Sequence, residues 1–542
     1  MGRGYPRHVA VRARPPPTRL PPLAIARRPA ASRAASPAPA APSAPAARRD
    51  ARSLEAPTGG AAAARAAGEG AAAPAPPAGA PSADGAAPDA STTGAPSANA
   101  AARNKRGLAA RAAEHLPQLG ELARSDTGRA AALAGAMLGN NVIALVTTVV
   151  FARMLGASGY GSLGALLAAF VILMVPGSAL QATVAREVSR ELAEGSEVAG
   201  AGVHRWMTHL TAALLVVVGL AALFRGQLAA AVGVHDLAWA AAATVPTGWL
   251  WLMLSVQRGA LQAVQRYRLV GLTLVGEAAL RLVFGAALVL AGLEVTGAFL
   301  GTTLALGLLV LAYSLPLRRL LPAPRDEAAR ALVPGMRHLI ARARVPVAAF
   351  VLIAVLQHVD VIVVKHVASP EKAGSYAAAS VAAKAVIWLA MGLGFYLLPE
   401  AVRRAQAGED ARPILVRTLA LLLAVAIPLV AFYALVAGPL LALVFGPGLT
   451  AAAGALAILT GAMALLACGY LAVQYLLALG RRLFIGLLAT AATVELVVLP
   501  QVGSELTEVA LVLLGLQVVL ATALLATAAR AAQSELVVVP EA

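Results

Sequence analysis

Between residues 130 and 529 the chain returns twelve times to an apolar run of about 20 residues: 130–152, 161–183, 206–225, 237–256, 269–292, 296–316, 346–367, 375–398, 415–437, 451–478, 483–502 and 508–529. About 20 residues of helix cover the hydrocarbon core of a bilayer. The runs do not alternate with period two, and a helix satisfies its own backbone groups in lipid, so membrane helices are predicted rather than barrel strands. Composition agrees, because 59% hydrophobic and 13% charged residues lie outside the range of a water-soluble domain. The expected fold is an all-α polytopic membrane protein with about 12 transmembrane helices.

Residues 1–124 are a different material, Ala, Pro, Gly and Ser with scattered Arg and no periodic apolar face. Such a segment cannot bury enough surface to offset its ordering entropy, so a disordered cytoplasmic tail is predicted. It contains no apolar core long enough for a secretory signal. "RNKRGLAARAAEHLPQLGELA" (103–123) has the pattern of a short amphipathic helix at a membrane surface. The net charge of +17 suits anionic lipid; nucleic acid is not expected as a partner, because the basic residues lie in short links between apolar runs.

Those links set an expected orientation. Alternate links carry Arg186, Arg190 and Arg205; Arg258, Arg266 and Arg268; seven Arg from Arg318 to Arg344; Arg403, Arg404, Arg412 and Arg417; and Arg481 with Arg482. Links of the other parity offer little beyond Arg225 and Lys372. An excess of basic residues marks the cytoplasmic side, so both termini are expected there, in a plasma-membrane protein.

The chain also repeats itself. "VVFARMLGASGYGSLGALLA" (149–168) matches "VIVVKHVASPEKAGSYAAAS" (361–380), placing Arg153 over Lys365. "AREVSR" (185–190) matches "LPEAVR" (398–403), and "LQAVQRYRLVGL" (261–272) matches "LLALGRRLFIGL" (476–487), all at offsets of 212 to 215 residues. Two copies of six helices follow, expected at 125–316 and 346–530, with a basic linker at 317–345 and a cytoplasmic tail at 531–542. Six is even, so both copies enter the membrane in the same sense and should be related by a pseudo-two-fold axis along its normal. Two lobes with a cleft between them suit alternating access.

Signals of soluble enzymes carry little weight. "GYGSLG" (Gly159–Gly164) satisfies G-x-G-x-x-G but joins two membrane helices, where small residues allow a tight turn and close helix approach. No Lys follows a Gly, so there is no phosphate-binding loop for ATP. Cys468 stands alone, and His358 and His366 have no partnering ligand at metal spacing. No cofactor, metal or catalytic residue is expected, and the chain reads as a non-enzyme.

The informative residues are ionisable groups inside the apolar runs: Glu277, Arg281, Asp360, Lys365, Lys384 and Glu495, with Arg153 near an edge. Each costs about 2.5–3.5 kcal/mol facing lipid, so each should face a cavity or a partner. Glu277 and Arg281, four apart, have the order of a helical ion pair. For Arg153 and Lys365, cavity function and snorkelling to the interface stand as equal readings.

"ARMLGASGYGSLGALL", "ALQATVAREVSRELAEG" and "HVDVIVVKHVASPEKAGSYAAAS" resemble the polysaccharide-flippase branch of the multidrug/oligosaccharidyl-lipid/polysaccharide (MOP) exporter superfamily, over roughly residues 125–530. The lipid II flippases of that superfamily carry two further C-terminal helices, which favours the polysaccharide branch here. The resemblance implies transfer of a lipid-linked oligosaccharide from the inner to the outer leaflet, in company with glycosyltransferases and a polymerase. A polyprenyl-pyrophosphate cargo has an anionic head. Arg153, Lys365, Lys384 and Arg281 are then candidate phosphate contacts, and Asn140, Asn141 and Gln357 candidate partners of sugar hydroxyls or of neighbouring helices. Asp360, Glu277 and Glu495 are the candidate ion carriers for coupling. A cation-coupled multidrug antiporter and a non-transporting membrane scaffold remain as alternatives.

Overall fold

A computed structural model describes residues 126–194, 198–322 and 336–536. The N-terminal tail, the 103–123 segment, residues 323–335 of the linker and the last six residues lie outside the described residues.

The described elements are helical: α1 (Asp126–Ala193), α2 (Val198–Leu223), α3 (Arg225–Val232), α4 (Ala238–Ala263), α5 (Tyr267–Leu288), α6 (Glu294–Leu320), α7 (Met336–Val367), α8 (Pro370–Ala383), α9 (Ala385–Gln406), α10 (Arg412–Val444), α11 (Ala453–Ala478), α12 (Phe484–Val498) and α13 (Leu506–Leu536). Ten helical stretches among the described residues are long and apolar enough to cross a membrane. Two of them, Gly135–Ala193 with 59 residues and Tyr267–Leu320 with 54, would each extend about 80–90 Å at 1.5 Å per residue. Both are broken. Gly156 (φ 64°, ψ −175°) kinks the first, in a region of backbone space that a Cβ disfavours. Gly292 (φ 89°), in the π-helical turn Val289–Leu293, breaks the second. Each stretch therefore supplies two crossings, and twelve passes result.

Several boundaries differ from the sequence expectation. The run at 375–398 is two helices, α8 and α9, meeting at Lys384. Helix α4 continues to Ala263, so Arg258 is a helix residue buried in the protein and not part of a basic link. An apolar run ends where its first charge appears, whereas a helix ends where its backbone bonds do. Likewise Arg190 lies in the last turn of α1, with Arg186 a turn earlier, Arg403 and Arg404 lie in the last turn of α9, and α7 starts at Met336, before its apolar run.

Helices α1–α6 pack as one lobe and α7–α13 as a second, and the two meet where α1 crosses α7 and α8. The internal repeat is visible in the turns. Gln265 (φ 57°) after α4 and Gly480 (φ 66°) after α11 are both left-handed, and the following amides close the same six-residue loop, Arg266 N to Leu261 O at 2.9 Å and Arg481 N to Leu476 O at 3.0 Å. Gly233 (φ 78°) and Gly446 (φ 114°) each precede a 3₁₀ turn, His235–Leu237 and Pro447–Leu449. Ion pairs repeat too: Glu187 accepts from Arg190 at 2.7 Å, and Glu400 from Arg403 at 2.7 Å.

Candidate functional site

The lobes touch through residues that the repeat makes equivalent. At an offset of 213, Gly161 corresponds to Gly374 and Gly164 to Ala377. A Cβ on Gly161 would stand 2.7 Å from the Gly374 amide nitrogen, and one on Gly164 would stand 2.8 Å from the Ala377 Cβ. A residue that meets its own counterpart lies on a two-fold axis. The small side chains of "GYGSLG" are thus spent on helix approach at the pseudo-symmetry axis, beside the Gly156 kink.

At the same end two hydrogen bonds tie the lobes together. The Nη2 of Arg153, at the end of the first arm of α1, donates to the Leu443 carbonyl of α10 at 2.6 Å. His366, at the end of α7, stands with Nε2 2.8 Å from the Ala230 carbonyl of α3. Its Nδ1 stands 2.8 Å from the Ile362 carbonyl of its own helix, and because a carbonyl only accepts, the bond to Ala230 forms when Nε2 carries the hydrogen. Ala230 and Leu443 are themselves 213 residues apart, so the two bonds are pseudo-symmetric mates. Tyr160 and Phe445 face each other nearby, with ring centroids 6.4 Å apart. Arg153 is therefore engaged across the lobe boundary. At that offset its mate is His366, one residue on from Lys365, which the sequence match placed over it; Lys365 is half-buried on α7, near Glu371 and Asp236.

Each lobe buries a charged cluster within its helices. In the first lobe Arg258 of α4 is 1% exposed. Its Nη2 donates to Glu277 Oε2 at 2.9 Å and its Nε to Thr273 Oγ1 at 2.8 Å, and its guanidinium lies 5.1 Å from the Trp251 ring centre. Arg281 holds the other Glu277 oxygen. Two guanidinium groups thus face one carboxylate. Arg281 is the more open of the two, and its Nε has no hydrogen-bond partner.

The second lobe has the opposite balance. Asp360 of α7, fully buried, accepts from Tyr376 Oη at 3.1 Å and Ser380 Oγ at 3.3 Å. Lys384, at the α8–α9 junction, lies 3.8 Å from its other oxygen, an ion pair too long for a hydrogen bond. The Nζ of Lys384 also stands 3.3 Å from His358 Nδ1. Glu495 of α12 is fully buried beside Asp360 and Lys384, with no hydrogen-bond partner on either carboxyl oxygen. Two carboxyl groups face one ammonium. Among the described residues no three His, Cys, Asp or Glu side chains converge as a metal site.

The structure thus brings Asp360, Lys384 and Glu495 together in one lobe and Glu277 with Arg281 in the other. Asn140 is half-buried and bonds to exposed Asn141 at 3.3 Å, both on the first arm of α1, while Gln357 is buried on α7. Arg258, Thr273, Tyr376, Ser380 and His358 escaped the sequence reading. A signal existed for most of them: Thr273, Glu277 and Arg281, and likewise Tyr376, Ser380 and Lys384, recur every four residues along one helix face.

Residues 129–392 match a family described as polysaccharide biosynthesis protein. No curated protein is significantly similar in sequence to the chain. Among solved structures, an inward-facing MATE multidrug resistance transporter of the MOP superfamily aligns at a TM-score of 0.63 with 12% identity, covering 73% of this chain and 96% of that one. The lipid II flippase MurJ in an inward closed conformation aligns at 0.60 with 13% identity, covering 75% and 90%. The Vibrio cholerae MATE transporter VcmN aligns at 0.51 with 15% identity, covering 77% and 98%. The family match spans the first lobe and the first helices of the second, and the fold is shared with these transporters.

Proposed function

We propose that the protein flips a polyprenyl-pyrophosphate-linked oligosaccharide from the inner to the outer leaflet by alternating access, for assembly of a surface polysaccharide. The observation that carries this reading is the net-cationic Arg258–Glu277–Arg281 cluster inside the first lobe. Glu277 is held from both sides, by Arg258 from below and by Arg281 from the open side. Arg281, the more exposed of the two, is the guanidinium suited to replace water on a phosphate oxygen. A cationic drug would be repelled at this point. The family match to polysaccharide biosynthesis points the same way.

The cluster of opposite balance in the second lobe suits the coupling step. Asp360 is hydrogen-bonded by Tyr376 and Ser380 on one oxygen only, whereas Glu495 has open valence on both, which makes it the first candidate to take a proton or a small cation. The alternative, a cation-coupled multidrug antiporter, draws on this same cluster and on the MATE fold. With basic links cytoplasmic, the Gly156 end faces outward, and the latched arrangement is the one closed to the outside.

The test is accumulation of lipid-linked oligosaccharide in the inner leaflet of cells carrying each variant at matched membrane abundance. Hydrogen bonds to a charged group contribute about 1.5–3 kcal/mol, so Arg281→Gln is expected to slow export roughly tenfold to a hundredfold. Arg281→Lys keeps the charge and should retain more activity. Normal export by Arg281→Gln would remove the basis of the flippase reading; cation efflux in its place would favour the antiporter.

Arg153→Gln gives a milder expectation. Losing one of two latch bonds, a net contribution of about 1 kcal/mol, should shift the closed population a few-fold and leave export measurable. If Arg153 instead contacts phosphate, the same variant should abolish export outright, which the assay above reads directly.

A further inference from the structure

Away from the lobe interface, α2 and α6 lie side by side over α4 and enclose a groove of about 690 Å³. They join at one end. Gly200 lets α2 approach Pro322, where an added Cβ would stand 3.0 Å from the carbonyl carbon, and His204 Nε2 lies 3.0 Å from the Leu321 carbonyl. Halfway along, Trp249 Nε1 donates to the Leu210 carbonyl at 2.8 Å, fastening α2 to the floor. Past that point the groove opens, and Leu215 on its wall is 77% exposed.

The walls are mostly aliphatic, with Val203, Met207, Leu250, Val310 and Leu317 among them. The hydroxyls of Thr208, Thr211 and Ser314 donate back into their own helices, and Gln257 donates to the Val310 carbonyl. Those donors are spent. Arg318 lines the closed end, and among the described residues it has neither an ion pair nor a hydrogen bond. No acidic side chain lines the groove. Arg205 and Arg319 flank this end on the adjoining turns. An aliphatic channel that ends in an unpaired guanidinium is complementary to an amphiphile with an anionic head.

We infer that this groove is a binding site for one anionic phospholipid, its acyl chain along α2, α4 and α6 and its phosphate on Arg318. The site is separate from both charged clusters and does not depend on what the protein transports.

The full-length protein in detergent would be exchanged with an equimolar mixture of phosphatidylglycerol and phosphatidylcholine, and the retained lipid counted by native mass spectrometry. Phosphatidylglycerol is expected to be retained in preference, and Arg318→Gln to lower that preference about fivefold. Arg319→Gln removes the same charge from outside the groove and should leave the preference in place. Gly307→Leu projects into open space, since its nearest neighbour is Leu250 Cδ1 at 3.9 Å, and should reduce retention of both lipids. Equal loss in Arg318→Gln and Arg319→Gln would show only a diffuse basic surface and overturn the site, as would a lipid count unchanged by Gly307→Leu. Transport does not enter the readout, so this result and that of the export assay stand or fall separately.

Discussion

Gly374→Leu is expected to abolish export while leaving both lobes folded. A Cβ at this position would stand 2.6 Å from the carbonyl carbon of Ala157 in the other lobe. Backbone cannot retreat as a flexible side chain does, so the helices must separate. Overpacking of this kind costs about 1–3 kcal/mol and sometimes more. Here it is concentrated on one conformation, because the contact exists only while the lobes are closed at the Gly156 end. Tyr160→Cys and Phe445→Cys, introduced in a Cys468→Ser background, would report closure by thiol crosslinking, since the native rings lie 6.4 Å apart. Crosslinking and export should fall together by at least about tenfold. Gly392→Leu, at a site with nothing within 4 Å, should preserve both. Efficient crosslinking with normal export in Gly374→Leu would show that the two glycines do not set the approach of the lobes.

Asp360→Ala is expected to destabilise the second lobe more than any other single change considered. It strands the Lys384 ammonium, buried and 3.8 Å from its lost partner, and removes the acceptor of Tyr376 and Ser380. Breaking a buried ion pair from one side costs about 3–5 kcal/mol. Replacing both charges, Asp360→Asn with Lys384→Met, should recover most of the abundance and thermal stability, because a buried pair exchanged for neutral groups is often close to neutral overall. Export should remain lost in the double variant if the cluster couples transport. Glu495→Gln breaks no side-chain hydrogen bond in the structure and should keep stability while altering the response of export to the ion gradient. Recovery of export in the double variant would assign Asp360 and Lys384 to packing alone.

Helix number and the two-lobed plan were legible because they rest on hydrophobicity and on repetition, which survive in a linear reading. The axis was legible only to within a residue, since the linear match sets Gly161 over Ala373 whereas the structure brings it against Gly374. Arg258 was not legible. It follows an apolar run by two residues, and nothing in its flanks distinguishes a loop arginine from one folded inward onto Glu277. Its partner Thr273 is 15 residues away across a turn, a pairing fixed by the packing of α4 on α5. Lys384 was recognised as an intramembrane charge, but the helix break beneath it was not, because no Pro or Gly marks the spot. The link between Arg153 and Leu443 was out of reach for a further reason: its acceptor is a main-chain carbonyl, which no side-chain pattern reports.

That last property bears on how two fused copies of one ancestral half can drift apart. In the first lobe the latch donor is Arg153; in the second it is His366, its counterpart at the same offset of 213 that relates Ala230 to Leu443. The receiving atoms, at Ala230 and Leu443, belong to the peptide backbone and persist under any substitution that preserves the helix. Mutation can therefore change the chemistry of the giving side chain, from guanidinium to imidazole, without erasing the receptor. The duplication is recorded in the course of the main chain, and the side chains are free to specialise around it.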